Sequence, residues 1–177
     1  MLKMSYYFTV CSTAMYQDIY IDFLLRHYEK LNLPYSFQVS LSYIASPIFM
    51  DKDCILLWDS KDEPVGALGF IYGTGEQDYK DKHIVQIQTF FLKEDFRSGR
   101  LFLQASQFFS QYLAQLNHAV TELRFWVPVQ PSLQRLCAKI AKRTSVQETD
   151  CGLIEEYRID FASWHAFVMK YPHDLYF

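Results

Sequence analysis

The sequence predicts an α/β (α+β) fold: a mixed, mostly antiparallel sheet with a central parallel strand pair and helices on both faces. Three observations carry this expectation. Residues 54–58, 65–72 and 83–92 are successive apolar runs joined by connections rich in Gly, Pro and Asp, the pattern of antiparallel hairpins. Residues 101–116 then place apolar side chains at three- and four-residue steps, the mark of an amphipathic helix. Residues 121–127 return to strand-like composition, so 83–127 reads as two parallel strands joined by a helix, with a right-handed crossover.

Taken in order, SYYFTVC (5–11) is rich in aromatic and β-branched types and reads as a strand. From Ala14 to Asn32, Tyr20, Phe23, Leu24, His27, Tyr28 and Leu31 fall on one helical face. Pro34 ends that helix, because proline disfavours helical geometry in the residue before it. A shorter helix is expected over 38–46, closed by Pro47. CILLW (54–58), VGALGFIY (65–72) and HIVQIQTFFL (83–92) are the three hairpinned strands. Leu101, Ala105, Phe108, Phe109, Tyr112, Leu113 and Leu116 give the next helix a broad apolar face. TELRFWV (121–127) is a strand whose exit is bracketed by Pro128 and Pro131, and Leu133, Leu136, Cys137 and Ile140 mark a short helix. Two last strands, about 145–149 and 153–160, flank the turn Asp150-Cys151-Gly152. With no internal repeat and no linker, 1–177 reads as a single domain. The apolar tail WHAFVMKYPHDLYF either covers the sheet or forms a homodimer contact.

Composition removes several classes of function. Half of the 177 residues are hydrophobic and 18% are aromatic, enough for a folded core. The formal net charge of −3 lacks the basic surplus of a nucleic-acid binder, although Lys139, Lys142 and Arg143 cluster locally. Cys11, Cys54, Cys137 and Cys151 are widely spaced, with neither a Cys-x-x-Cys nor a zinc-like Cys/His spacing. Free thiols in a reducing cytoplasm and no metal site are expected. The N-terminus shows no leader pattern, and no apolar run approaches the roughly 18 residues that span a bilayer, so a soluble chain with no membrane partner is expected.

The junction FFLKEDFRSGRLFL (90–103) joins the end of a strand to the start of a helix through Arg97-Ser98-Gly99-Arg100. Unpaired N–H groups at a helix start, with the positive end of the peptide dipoles, suit a diphosphate, and two arginines add mobile positive charge. The plainer reading is that Ser98 caps the helix and both arginines are solvated.

In element order and in the position of this junction the chain resembles the GNAT superfamily, the acyl-CoA-dependent N-acyltransferases, over roughly residues 5–160. The family's signature is Arg/Gln-x-x-Gly-x-Gly/Ala. Here Arg97 matches its first position, Arg100 and Phe102 stand where Gly and Gly/Ala are usual, and Gly99 comes one place early. The resemblance implies that the amides from Arg97 through Ser98, Gly99, Arg100 and Leu101 to Phe102 hold the CoA pyrophosphate. It also implies that Phe90, Phe91 and Leu92 end a strand splayed from its parallel neighbour, leaving backbone groups for the pantetheine arm and thioester carbonyl. Phe102 is expected to point into the core.

For chemistry, the family's usual Glu on that strand corresponds to Gln88, with Gln86 two residues earlier; Gln cannot take a proton but can orient a water. His83, Asp81, Asp78 and Glu76 are substitutes by type, and His83 is the best of them because imidazole titrates near neutrality. The family's usual Tyr acid corresponds to Cys137, whose place on an apolar face equally marks a core residue. The implied function is transfer of an acetyl or other acyl group from CoA to an amine of a small molecule or protein. The second reading, kept open by the altered glycines and the missing acid–base pair, is a catalytically silent CoA-binding regulatory or interaction module.

Overall fold

The structure, a computed structural model, describes residues 5–50 and 53–177; Met1–Met4, where the leader was sought, lie outside the described residues. The elements are β1 (Tyr7–Val10), α1 (Ala14–Arg26), α2 (Tyr28–Leu31), α3 (Phe37–Met50), β2 (Cys54–Trp58), β3 (Pro64–Tyr72), β4 (Ile84–Leu92), α4 (Gly99–Ala114), β5 (Glu122–Pro128), α5 (Pro131–Cys137), β6 (Lys142–Thr149), β7 (Gly152–Asp160) and α6 (Phe161–Met169). One seven-stranded sheet has the order β1-β2-β3-β4-β5-β7-β6, with β4 and β5 parallel and every other neighbouring pair antiparallel. This is the mixed sheet expected from the sequence.

Strand alternation divides the core in two. In β2, Ile55 and Leu57 face one side and Cys54, Leu56 and Trp58 the other. The first side, with Val85, Leu92 and Leu123, is covered by Leu101, Ala105, Phe108, Phe109, Tyr112 and Leu113 of α4. The second is covered by Tyr20, Phe23 and Leu24 of α1 and Ile44 of α3. On this side Gly69 lets α1 come close: a Cβ there would lie 1.9 Å from the Tyr20 hydroxyl, which reaches past it to Thr89 Oγ1 at 2.9 Å.

Two helices differ from expectation. The helix read over 14–32 breaks at His27, whose Nδ1 lies 2.8 Å from Phe23 O, and resumes as α2 until Asn32 turns left-handed at φ 49°. The third helix runs through Pro47 instead of closing before it. Proline removes an N–H, and Ser46 Oγ donates to the Tyr43 carbonyl that is thereby freed, at 3.3 Å. The C-terminal segment forms α6 and an extended tail that lie mainly on α4, and Tyr176 of the tail also packs edge-to-face on Phe8 of β1 at 5.8 Å. Gln107 bonds the α6 backbone at Val168, Gln107 and Gln111 bond the tail backbone at Pro172, Asp174 and Tyr176, and Phe177 packs on Phe108 and Tyr112.

Candidate functional site

The β3–β4 register passes from Gly69↔Thr89 to Phe70↔Ile87, so Gln88 is an extra residue, a β-bulge in β4. The parallel β4–β5 pairing stops at the same place, at Ile87↔Phe125, although β4 continues to Leu92 and β5 to Pro128. The cause lies in the ladder's phase. Before the bulge, the Gly73 N–H bonds Ile84 O, so Ile84 and Gln86 turn their backbone groups to β3 while Val85 and Ile87 turn theirs to β5. After it, the Lys93 N–H bonds Val65 O, so Lys93, Phe91 and Thr89 face β3. A regular parallel ladder would need Thr89 next, and Thr89 faces the wrong way. The strands therefore part, and the backbone groups of Phe90 and Leu92 face the gap. On the far wall the Phe161 N–H···Thr121 O and Val129 N–H···Leu153 O bonds assign odd-numbered residues of β5 to β7, which leaves Trp126 and Pro128 facing β4.

At the mouth of this gap stands the β4–α4 junction. Ser98 caps α4: its Oγ accepts from the Leu101 N–H at 3.2 Å and its carbonyl from the Phe102 N–H at 3.0 Å. The N–H groups of Ser98, Gly99 and Arg100 have no partner among the described residues, and all three residues are exposed. A Cβ on Gly99 would meet nothing within 4 Å, so the flank of the helix start at Gly99 is open. Capping thus occupies the Leu101 and Phe102 amides and leaves the three before them open. Arg97 bridges the junction to the gap: its Nε donates to Leu92 O at 3.0 Å and its guanidinium lies 5.7 Å from the Phe91 ring centroid. Of the three residues that end β4, Phe90 keeps free backbone groups toward the gap, Leu92 has its carbonyl taken by Arg97, and Phe91 contributes its ring, not its backbone.

Phe102 does not enter the core. It is 39% exposed and packs edge-to-face on Phe90, itself 41% exposed, at 5.8 Å between centroids. One position round the helix, Leu101 takes the buried place, which leaves Phe102 on the flank beside the open amides.

The titratable candidates scatter. His83 lies at the paired base of β4, its carbonyl accepting from the Thr121 N–H at 2.8 Å, away from the gap. Asp81 holds the Thr74 N–H and Oγ1, both at 2.7 Å, and Gln86 Nε2 donates to Gly73 O at 2.5 Å, so both serve the β3–β4 connection. Gln88 alone of these sits at the gap, half-buried in the bulge, its carboxamide without a partner among the described residues. Cys137 is 5% exposed, and burial, with the Glu155 charge second, pushes its thiol above the ordinary value. It remains a protonated core thiol at neutral pH.

The sequence reading missed the carboxylates of β7. Glu155 accepts from Gln134 Nε2 at 2.8 Å, Arg143 Nη1 at 2.9 Å and the Tyr157 hydroxyl at 2.9 Å. Burial works to raise its carboxyl, but these bonds outweigh it and hold the group below the ordinary 4.5. Glu155 thereby ties α5, β6 and β7 together. Glu156, on the opposite sheet face, pairs with Arg158 Nε at 2.7 Å and Thr144 Oγ1 at 2.6 Å. The period-two charges of ELRFW and IEEYRID were the available signal. The tip of the β6–β7 hairpin also reaches the loop before α3, through Thr149 Oγ1 to Pro34 O at 2.7 Å.

No family model matches the sequence, and no curated protein is similar to it in sequence. Solved structures are similar in fold. FeeM, an N-acyl amino acid synthase from uncultured soil microbes, superposes with a TM-score of 0.69 at 7% identity, covering 96% of this chain and all of its own. An acetyltransferase of the GNAT family from Staphylococcus aureus gives 0.64 at 11% identity, covering 89% of this chain and 99% of its own. RimL, a ribosomal L7/L12 alpha-N-protein acetyltransferase solved with coenzyme A, gives 0.59 at 10% identity, covering 86% and 93%.

Proposed function

We propose that this chain, whose fold is that of the GNAT superfamily, is an N-acyltransferase that moves an acyl group from a CoA thioester to an amine. The observation that carries the reading is the coincidence of two features at one place. The sheet is parted between β4 and β5, and three open helix-start amides stand at its mouth. The residues fit the donor. The Ser98, Gly99 and Arg100 N–H groups and the Arg97 guanidinium suit a diphosphate. The free backbone groups of Phe90 suit an amide-bearing arm lying in the gap as a substitute strand.

When bound there, the thioester supplies the acyl group: a C–N bond forms as the C–S bond breaks, the sulfur leaves as a thiol, and the surplus ammonium proton goes to water. The Phe90 N–H faces the gap and is the donor available to the carbonyl oxygen as negative charge develops on it. Gln88 orients a water at the bulge, since a carboxamide donates and accepts without titrating. An amine with an ordinary pKa near 10.4 costs about 4–5 kcal/mol to deprotonate at pH 7, and exclusion of bulk solvent from the gap lowers that cost. Cys137 keeps its core role.

The names of the similar proteins give a free amino acid and a protein amino terminus as acceptors, and either kind of amine fits this reading. The buried thiols and the absence, among the described residues, of a helix long and apolar enough to cross a membrane accord with a cytoplasmic enzyme. The Phe90–Phe102 pair beside the amides, with no carboxylate or imidazole of the described residues hydrogen-bonded at the bulge, favours one second reading, a CoA-binding module without turnover. Calorimetry with acetyl-CoA and CoA, followed by thiol release on an amine panel, separates the two. Binding with turnover supports the enzyme and binding alone the module. The absence of binding overturns both.

A further inference from the structure

On the sheet face covered by α1 and α3 over its first strands, β5 and β7 carry a row of charges beside the gap. Register pairs Arg124 with Arg158 and Trp126 with Glu156, and Glu122 lies on the same face of β5. Two arginines directly opposite on antiparallel strands repel, so the arrangement needs a reason. Each is held by one carboxylate through Nε alone: Arg124 by Glu122, and Arg158 by Glu156 Oε1 at 2.7 Å. The Nη groups of both arginines have no hydrogen-bond partner among the described residues, and neither does Glu156 Oε2, whose neighbour Oε1 takes Arg158 and Thr144. None of these atoms is among the buried polar atoms sealed from solvent in the described residues. They are therefore open to a ligand, while the side chains of Arg124 and Glu156 are largely buried, at 12% and 8% exposed, and that of Arg158 is 38% exposed.

The polarity has a direction. The arginine pair lies one same-face step, about 6.6 Å, further from the gap than Trp126 and Glu156. An anion therefore sits away from the gap and a cation beside it, with the Trp126 ring at the boundary. We propose that the amine acceptor is a free amino acid. Its carboxylate is taken by the Nη groups of Arg124 and Arg158, and its ammonium by Glu156 Oε2, which delivers the nitrogen to the parted strands. This rests on the N-acyltransferase reading and follows the same balanced step, giving an N-acyl amino acid, a free thiol and a proton. A polyamine lacks the anion that the arginines require, and a protein amino terminus carries its carboxylate elsewhere.

The test uses the full chain and two readouts. Saturation-transfer NMR measures binding of a mixture of the twenty L-amino acids, and of their methyl esters, while calorimetry on the same sample measures CoA. At least one amino acid is expected to bind, with its ester about tenfold weaker. Arg158→Gln is expected to weaken the acid about tenfold and leave the ester and CoA unchanged, with Arg158→Lys between. No bound amino acid, an ester that binds as well as its acid, or an Arg158→Gln variant that binds the acid like the parent overturns the proposal, whatever CoA does. Loss of CoA binding alone, with the acid–ester difference intact, overturns the transferase reading and leaves the amino-acid site standing.

Discussion

Replacing Arg97 with Ala tests the proposal that this junction holds the donor. Its guanidinium lies over the Phe91 ring and bonds Leu92 O through Nε, and its Nη groups have no hydrogen-bond partner among the described residues. A charge-assisted bond to a phosphate oxygen is worth about 1.5–3 kcal/mol, and solvent exposure places Arg97 toward the lower end, so CoA affinity should fall about tenfold to thirtyfold. The cost to the fold is smaller. The stack on Phe91 contributes about 0.5–1 kcal/mol at an exposed site and the Leu92 bond about 1, together a shift of about 3–6 °C in Tm for a chain of this size. Arg97→Lys keeps the charge but loses the fork and the stack, and should fall between parent and Ala variant. Calorimetry with CoA at two salt concentrations reads all three, and salt should weaken the parent more than the Ala variant. A dissociation constant for Arg97→Ala within twofold of the parent, in a protein that melts only a few degrees lower, would refute the assignment of phosphate to these amides.

Three further outcomes follow from other sites. Gly69→Ala should destabilise by about 2–4 kcal/mol, because its Cβ would sit 1.9 Å from the Tyr20 hydroxyl. Tyr20→Phe should rescue much of that loss in the double variant, and simple additivity in urea melts would show that the clash is elsewhere. Cys137→Ala should leave turnover within a factor of about three and cost about 1 kcal/mol of stability, and loss of rate in a folded protein would make the thiol catalytic. Glu155 has a folded carboxyl pKa below the ordinary 4.5. Its stabilisation is therefore complete above pH 4.5 and is lost as pH falls through the folded value. Urea midpoints of the parent should drop below pH 4.5, and Glu155→Gln should start lower at pH 7 and fall less steeply; parallel curves would remove Glu155 from the acid response.

The hairpins over 54–92, the parallel pair, the helix over 101–116 and the helix-start junction at 97–100 were legible because periodicity and turn chemistry are local signals. The helix through Pro47 was not, since its tolerance depends on Ser46 reaching back to a carbonyl that only a formed helix presents. The same limit applied to Phe102. Its apolar type suggested burial, but the angular position of α4 gave that place to Leu101.

Composition and pattern alone determined a mixed, mostly antiparallel sheet and a polar, glycine-bearing start to the helix that follows its fourth strand. Tertiary structure decided what that junction faces. The bulge at Gln88 changes the side to which β4 offers its hydrogen bonds, and that phase exists only in relation to β3 and β5. Likewise Arg124, Arg158 and Glu156 come together only when register sets β5 beside β7, because charges more than thirty residues apart along the chain have no neighbour until the sheet supplies one.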